Sequence, residues 1–344
     1  MRLSRGLGLN WIKLLSRIYF AIVGLAMVAC TRPYDITVVP GVSGAIVETI
    51  YVATQQTPSV VGAFSYNDRI TQPQFARVDV TIPSTHAPGR IETAHDVGGG
   101  FTMASYRPKS QAEYIEGLAA APGDEILLFM HGYNSTTTEA VFRLAQIGYD
   151  FDIAGVKSVF SWASAASPSA YVYDRDSILF ARDDLTQLLT AVSRGSDKRI
   201  TLLAHSMGAQ LTMEAMRQLA ISGDDHVLAD IETVILLSPD IDPDIFRRQV
   251  EVIGDRDNPY VILTSGTDRA LRLSSFLIGG RSKVGQLDAA RDVEGLNVIM
   301  VDLTDVSDGG HGDHMVAATS PSAINLLRQI SSKDMLVQSG LLLE

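Results

Sequence analysis

Ser206 stands in "LLAHSMG", where a short apolar run from Ile200 to Ala204 gives way to a helical recurrence of Leu211, Ala215 and Leu219. A serine at such a strand-to-helix turn presents its hydroxyl from a sharp bend, at the positive end of the following helix. The bend crowds the backbone, so the residues two before and two after must be small. Ala204 and Gly208 meet that need. Acyl transfer by a serine also requires a histidine base, a carboxylate to orient it, and two N–H donors for the oxyanion. The chain supplies candidates for each. "HGYN" at 131–134 offers a turn whose backbone can aim an N–H; Asp240 and Asp242 lie in "SPDID" and Asp268 in "SGTDRAL". His311 and His314 lie in "DVSDGGHGDHM", with Asp302, Asp305 and Asp308 close by. The plain alternatives are an N-cap role for Ser206, a helix-capping role for "SPDID", and a metal pair in "HGDH". Two histidines and one aspartate make a weak zinc signal. His205 shares the serine's turn and reads as a packing residue.

The elements that must position these groups are legible from about residue 111. "DEILLFM", "VKSVFSW", "RITLLAH", "ETVILLS", "NPYVILT" and "GLNVIMVD" read as apolar strands. Between them, 136–149, 176–193 and the stretch after Ser206 read as helices, and Met315 to Ile330 closes the region as one more. Apolar strands alternating with helices predict an α/β fold with a mostly parallel sheet covered on both faces. Ligands of such sheets sit at the carboxyl ends of the strands, and every candidate above follows a strand. Upstream, "ITVVPG", "AIVETIYVAT" and "FARVDVTIPS" predict a β-rich segment over 31–110, ending in the glycine-rich "DVGGG".

From about residue 75 to 331 the chain resembles a bacterial family of α/β-hydrolases, esterase- or lipase-like and of uncharacterised substrate. The pieces that carry the resemblance are "VTIPSTHAPGRIE", "LLFMHGYN", "FSWASA…YDRDS", "LLAHSMG", "LLSPDID" and "SGTDRAL", with a closing histidine before "MVAATSP". The chain departs from it in Trp162-Ala163-Ser164, where Trp-Pro-Ser is usual, and in the tail beyond 332. The resemblance implies an α/β-hydrolase fold and the chain order Ser, Asp, His. That order points to Ser206 as nucleophile, Asp268 as the acid and His314 as the base. Asp240 and Asp242 stay open as the acid, because some members of the superfamily take it from the preceding strand end. Backbone N–H groups of Tyr133 (or Asn134) and Met207 are the expected oxyanion donors. Trp162, Tyr171 and Tyr173 are expected near the substrate pocket, and this chemistry needs no cofactor and no metal. The expectation is a serine hydrolase cleaving a small-molecule or lipid carboxylic ester. The same constellation would serve a thioesterase, amidase or lipase, and a non-catalytic envelope binding protein is the alternative of a different class.

The chain of 344 residues has a formal net charge of −11, which argues against nucleic acid as a partner. Arg2, Arg5, Lys13 and Arg17 precede the apolar "IYFAIVGLAMVAC". At about a dozen residues this run is shorter than the roughly 20 that span a bilayer, and it reads as a signal peptide. It ends at Cys30, the single cysteine, and "MVAC" resembles a lipobox, so Cys30 is the expected lipidation site. The expected organisation is a signal peptide (1–30), the β-rich segment (31–110), an α/β-hydrolase catalytic domain (111–332) and a tail (333–344). The lipid anchor would place the domain at the cell envelope, on the outer membrane facing the periplasm.

Overall fold

The computed structural model describes residues 38–39, 45–56, 69–93, 96, 99–277, 282–286, 291–306 and 314–329. The signal peptide, Cys30, Asp308, His311 and the tail lie outside the described residues. Among the described residues, nine strands make one sheet: β1 (Ile46–Thr54), β2 (Gln74–Ile82), β3 (Thr102–Lys109), β4 (Glu125–Met130), β5 (Val156–Ser161), β6 (Arg199–His205), β7 (Ile231–Leu237), β8 (Tyr260–Thr264) and β9 (Val298–Asp302). Their order is β3-β2-β1-β5-β4-β6-β7-β8-β9. β1 pairs antiparallel with β2 and β2 with β3, and every other pairing is parallel. The sheet is therefore mostly parallel. The β-rich segment continues the same sheet, because β1 pairs with β5 from Ile50 against Lys157 to Thr54 against Ser161.

Both faces of the central strands are buried, which is why they read as unbroken apolar runs. Ile126, Leu128 and Met130 of β4 face one core, and Leu127 and Phe129 face the other. The first core takes α1 (Gln111–Ala120), α3 (Tyr171–Gly195), α4 (Met207–Ser222), α5 (Asp225–Asp230) and α6 (Pro243–Ile253). The second takes α2 (Thr137–Asp150), α8 (Val316–Thr319) and α9 (Pro321–Gln329). A short α7 (Arg269–Leu277) follows β8.

Local chemistry sets the helix ends. Thr136 caps α2 through a reciprocal bond pair with Glu139, and Ser110 does the same for α1 with Glu113. The expected single closing helix is two, α8 and α9. Pro321 cannot donate the backbone bond that a continuous helix needs, and Ser320 instead accepts from Ala323 N at 3.1 Å. None of the described helices is long and apolar enough to cross a membrane.

Candidate active site at the carboxyl ends of the strands

β4 and β6 lie side by side although β5 comes between them in the chain. The connections from these neighbours leave in opposite directions, so a crevice opens at their carboxyl ends. Ser206 follows β6 there with φ 52° and ψ −119°. A non-glycine residue in this region is strained, and the surrounding backbone holds it. Its N–H donates to the Leu237 carbonyl at 2.9 Å, and its carbonyl accepts from Ala209 N at 3.0 Å and Asp240 N at 3.2 Å. Ser206 occupies the N-cap position of α4, yet its side chain makes no capping bond. The plain N-cap reading therefore fails. Gly208 is required for space: a Cβ there would lie 2.3 Å from the His131 carbonyl oxygen. At Ala204 a methyl group is accommodated in the core.

His314 lies beside this turn. Its Nδ1 is 2.7 Å from Asp268 Oδ2, and Asp268 Oδ1 accepts from Leu271 N at 3.0 Å. Asp268 is buried while the His314 side chain keeps partial access to solvent. The His205 ring stands 4.7 Å from that of His314, centroid to centroid, and its Nε2 donates to the His314 carbonyl at 3.2 Å. Burial, reinforced by the neighbouring His314, pushes the pKa of His205 well below its ordinary value, so the ring is neutral.

The other carboxylates are engaged elsewhere. Asp240 accepts from Tyr171 OH at 2.8 Å and Ser274 Oγ at 3.2 Å, and pairs with Lys283 Nζ at 2.7 Å. Asp242 caps α6, accepting from Asp244 N at 3.0 Å, as its sequence context allowed. Asp302 accepts from Thr304 N at 2.8 Å, and Asp305 lies in a short 3₁₀ turn. Among the described residues, Asp268 is the carboxylate bonded to His314.

The loop after β4 passes over the serine. A Cβ on Gly132 would lie 2.6 Å from His205 Nδ1 and 3.1 Å from Ser206 Cβ, so only glycine fits. Tyr133 follows, its ring edge-on to Tyr171 at 5.5 Å. Asn134 adopts φ 58° and donates its N–H to Asp174 Oδ2 at 3.0 Å. That bond engages the Asn134 N–H. Met207 opens α4, whose first N–H groups have no partner within the helix.

The aromatic expectations divide. Trp162 is fully buried, so its expected place in a pocket wall is corrected. It stacks on His131 at 4.8 Å with 17° between planes and donates Nε1–H to the His131 carbonyl at 2.8 Å. His131 is likewise a core group: burial lowers its pKa to about 4, Nδ1 donates to Gly132 O at 2.9 Å, and Nε2 accepts from Ser161 Oγ at 3.1 Å. Tyr173 carries the Arg69 guanidinium over its ring at 4.2 Å. Tyr171 is the one that reaches the vicinity of Ser206, through Asp240. Among the described residues, no group of three His, Cys, Asp or Glu side chains is arranged to hold a metal ion.

Residues 107–330 match the family described as "Alpha/beta hydrolase of unknown function (DUF900)". The chain belongs to that family. No curated protein matches significantly. Among solved structures, a dienelactone hydrolase from Anabaena variabilis is 14% identical, covering 84% of this chain and 99% of its own, with a TM-score of 0.38. TT1662 from Thermus thermophilus is 13% identical over 75% of this chain and 95% of its own, TM-score 0.41. A thermostable esterase from Pseudomonas putida is 13% identical over 89% and 86%, TM-score 0.39.

Asp174 and Lys283 were not singled out by sequence reasoning, and His205, read as a packing residue, also donates to the His314 carbonyl. Asp174 had a signal, since it lies in the "YDRDS" piece of the resemblance. Lys283 had none, because its partner Asp240 becomes its neighbour only in the fold.

Proposed function

We propose that this α/β hydrolase cleaves carboxylic esters, or closely related acyl bonds, through a covalent acyl-enzyme on Ser206. The observation that carries the reading is the bond between His314 Nδ1 and Asp268 Oδ2, beside a strained serine whose side chain caps nothing. Ser206 Oγ attacks the carbonyl carbon while His314 Nε2 takes its proton. The carbonyl oxygen becomes an anion facing the N–H groups of Tyr133 and Met207. His314 then passes the proton to the departing alkoxide, leaving an acyl-serine and a free alcohol. Water, deprotonated by the same histidine, releases the acid and restores the serine. Asp268 holds the imidazole with Nδ1 protonated, so that Nε2 carries the lone pair. Thioesters and amides pass through the same tetrahedral species, and the support for an ester is the general competence of the site. A strained serine with no capping bond speaks against a purely binding role, for which the strain would have no use.

The test is hydrolysis of p-nitrophenyl acetate by the full chain and by Ser206→Ala. Loss of the nucleophile removes several orders of magnitude in kcat, leaving only what the oxyanion donors contribute. Equal turnover by the two proteins would remove Ser206 from the mechanism.

A further inference from the structure

We propose that Asp174, a residue outside the triad, is a positioning residue that sets the oxyanion donor at Tyr133. The inference rests on the reading of Ser206 as nucleophile. Asp174 is fully buried in the first turn of α3, and its carboxylate gathers two strand-end loops. From the loop after β4 it accepts Asn134 N at 3.0 Å on Oδ2. From the loop after β5 it accepts Ser164 Oγ at 2.7 Å on Oδ2 and Ala165 N at 2.7 Å on Oδ1. Ser164 Oγ in turn accepts Ala166 N at 3.1 Å and Ser135 N at 3.3 Å. Each loop contains a left-handed non-glycine residue, Asn134 at φ 58° and Ala166 at φ 48°. Such residues persist only when their surroundings determine them, and here one carboxylate serves both.

The link to catalysis is geometric. The peptide joining Tyr133 to Asn134 is planar, so the bond from Asn134 N to Asp174 fixes the orientation of that plane. The Tyr133 N–H lies across a single Cα, two backbone rotations away. On the other side, Gly132 is pressed against Ser206 and His205, so the loop has no slack there. Tyr171, three residues before Asp174 on the same helix, reaches the elbow by a second route. It donates to Asp240, whose own N–H holds the Ser206 carbonyl. The first turn of α3 thus braces the oxyanion loop and the nucleophile against each other. An acceptor is needed there because three donors converge on it, and a buried donor left unpaired would pull the loop toward another partner.

Asp174→Asn keeps the shape and turns an amide NH₂ toward those donors. With p-nitrophenyl acetate the expected result is a fall in kcat of about 10- to 100-fold at nearly constant KM, the signature of a misplaced transition-state contact. A trifluoromethyl ketone forms the tetrahedral oxyanion on the serine, so its inhibition constant should rise by the same factor as kcat/KM falls. Loss of folded protein would lower the titratable sites without changing the inhibition constant per site. Ser164→Ala, which leaves the carboxylate in place, should show a smaller loss of the same kind and serves if Asp174→Asn does not fold. Wild-type kcat in folded Asp174→Asn, or a fall in kcat with an unchanged inhibition constant, overturns the proposal and leaves the hydrolase reading standing. An inert wild-type protein overturns both.

Discussion

His314 Nδ1 lies 2.7 Å from Asp268 Oδ2, and that contact helps join the loop after β8 to the segment after β9. A carboxylate can only accept, so Nδ1 of the imidazole carries a proton toward it, and in the neutral ring the lone pair then sits on Nε2. Position and tautomer are fixed together. Asp240 and Asp242, on the preceding strand end, were the open alternatives; the Asp240 carboxylate is occupied by Tyr171, Ser274 and Lys283, and Asp242 caps α6.

The two aspartates should therefore fail differently. Asp268→Asn keeps the fold and lowers kcat by about 10⁴, because the amide favours the wrong tautomer. Asp240→Asn leaves the buried Lys283 without its counter-charge and costs about 3–5 kcal/mol of stability. Steady-state kinetics alongside thermal unfolding separates the two. A greater kcat loss in folded Asp240→Asn would move the acid to β7.

His205 holds the backbone of His314, the proposed base, rather than its ring nitrogen. Asp268 fixes the side chain, and His205 fixes the carbonyl at 3.2 Å. His205→Phe should lower kcat by about 10-fold with an unchanged melting temperature, and His205→Gln, which can still donate, should recover part of it. If Phe and Gln behave alike, the bond to the carbonyl plays no part.

The strands that surround the site were legible because they are buried on both faces and read as apolar runs of the right length. β3 was not. It is an edge strand with half-exposed faces and ends near Pro108, tolerated there because an edge can spare a ladder bond. Ser206, Asp268 and His314 could be picked out because each follows a strand, and the fold brings His314 to Asp268 and beside the turn of Ser206. Trp162 was misplaced for a physical reason: an aromatic residue just past a strand end faces core or crevice according to a rotation that the sequence does not encode. The clamp at Asp174 depends on donors from two other loops, and no local pattern announces it.

The segment "PSTHAPGRIE" has its own electrostatic fastening. His86 Nδ1 is 2.8 Å from Glu92 and Nε2 is 2.9 Å from Asp150 at the end of α2, all three side chains being buried. Burial alone would lower the pKa of His86 and raise those of the two acids. The bonds between them outweigh it, so His86 is raised and both carboxylates are lowered. The stabilisation from His86 is complete below its ordinary pKa of about 6.5 and fades as pH rises through the raised value. That from Glu92 and Asp150 is complete above their ordinary values of about 4 and fades as pH falls through the lowered ones. The cluster contributes most between about pH 4 and 6.5. In denaturant titrations, the stability lost in His86→Ala should be largest in that window and shrink on either side. A difference independent of pH would show that charge is not what holds the segment.

Cys30 lies outside the described residues, and its lipidation is a proposal from sequence alone. Two acyl chains anchor stably where one binds marginally, each buried CH₂ contributing about 0.8 kcal/mol. A palmitate analogue fed to cells should label the wild type and spare Cys30→Ser, with the labelled protein in the outer-membrane fraction. Equal labelling of the two, or an unlabelled soluble product, would make this a secreted hydrolase without an anchor.

A fluorophosphonate probe tests whether Ser206 is a nucleophile activated by His314, without knowledge of the substrate. The reagent phosphylates an activated serine with loss of fluoride and leaves unactivated hydroxyls untouched. Intact-mass measurement on the full chain should show one adduct, mapped to the peptide containing Ser206. The adduct should be absent in Ser206→Ala and slowed by about 10³-fold or more in His314→Ala. An unlabelled wild type, or a folded Ser206→Ala protein labelled to the same extent, would contradict the assignment.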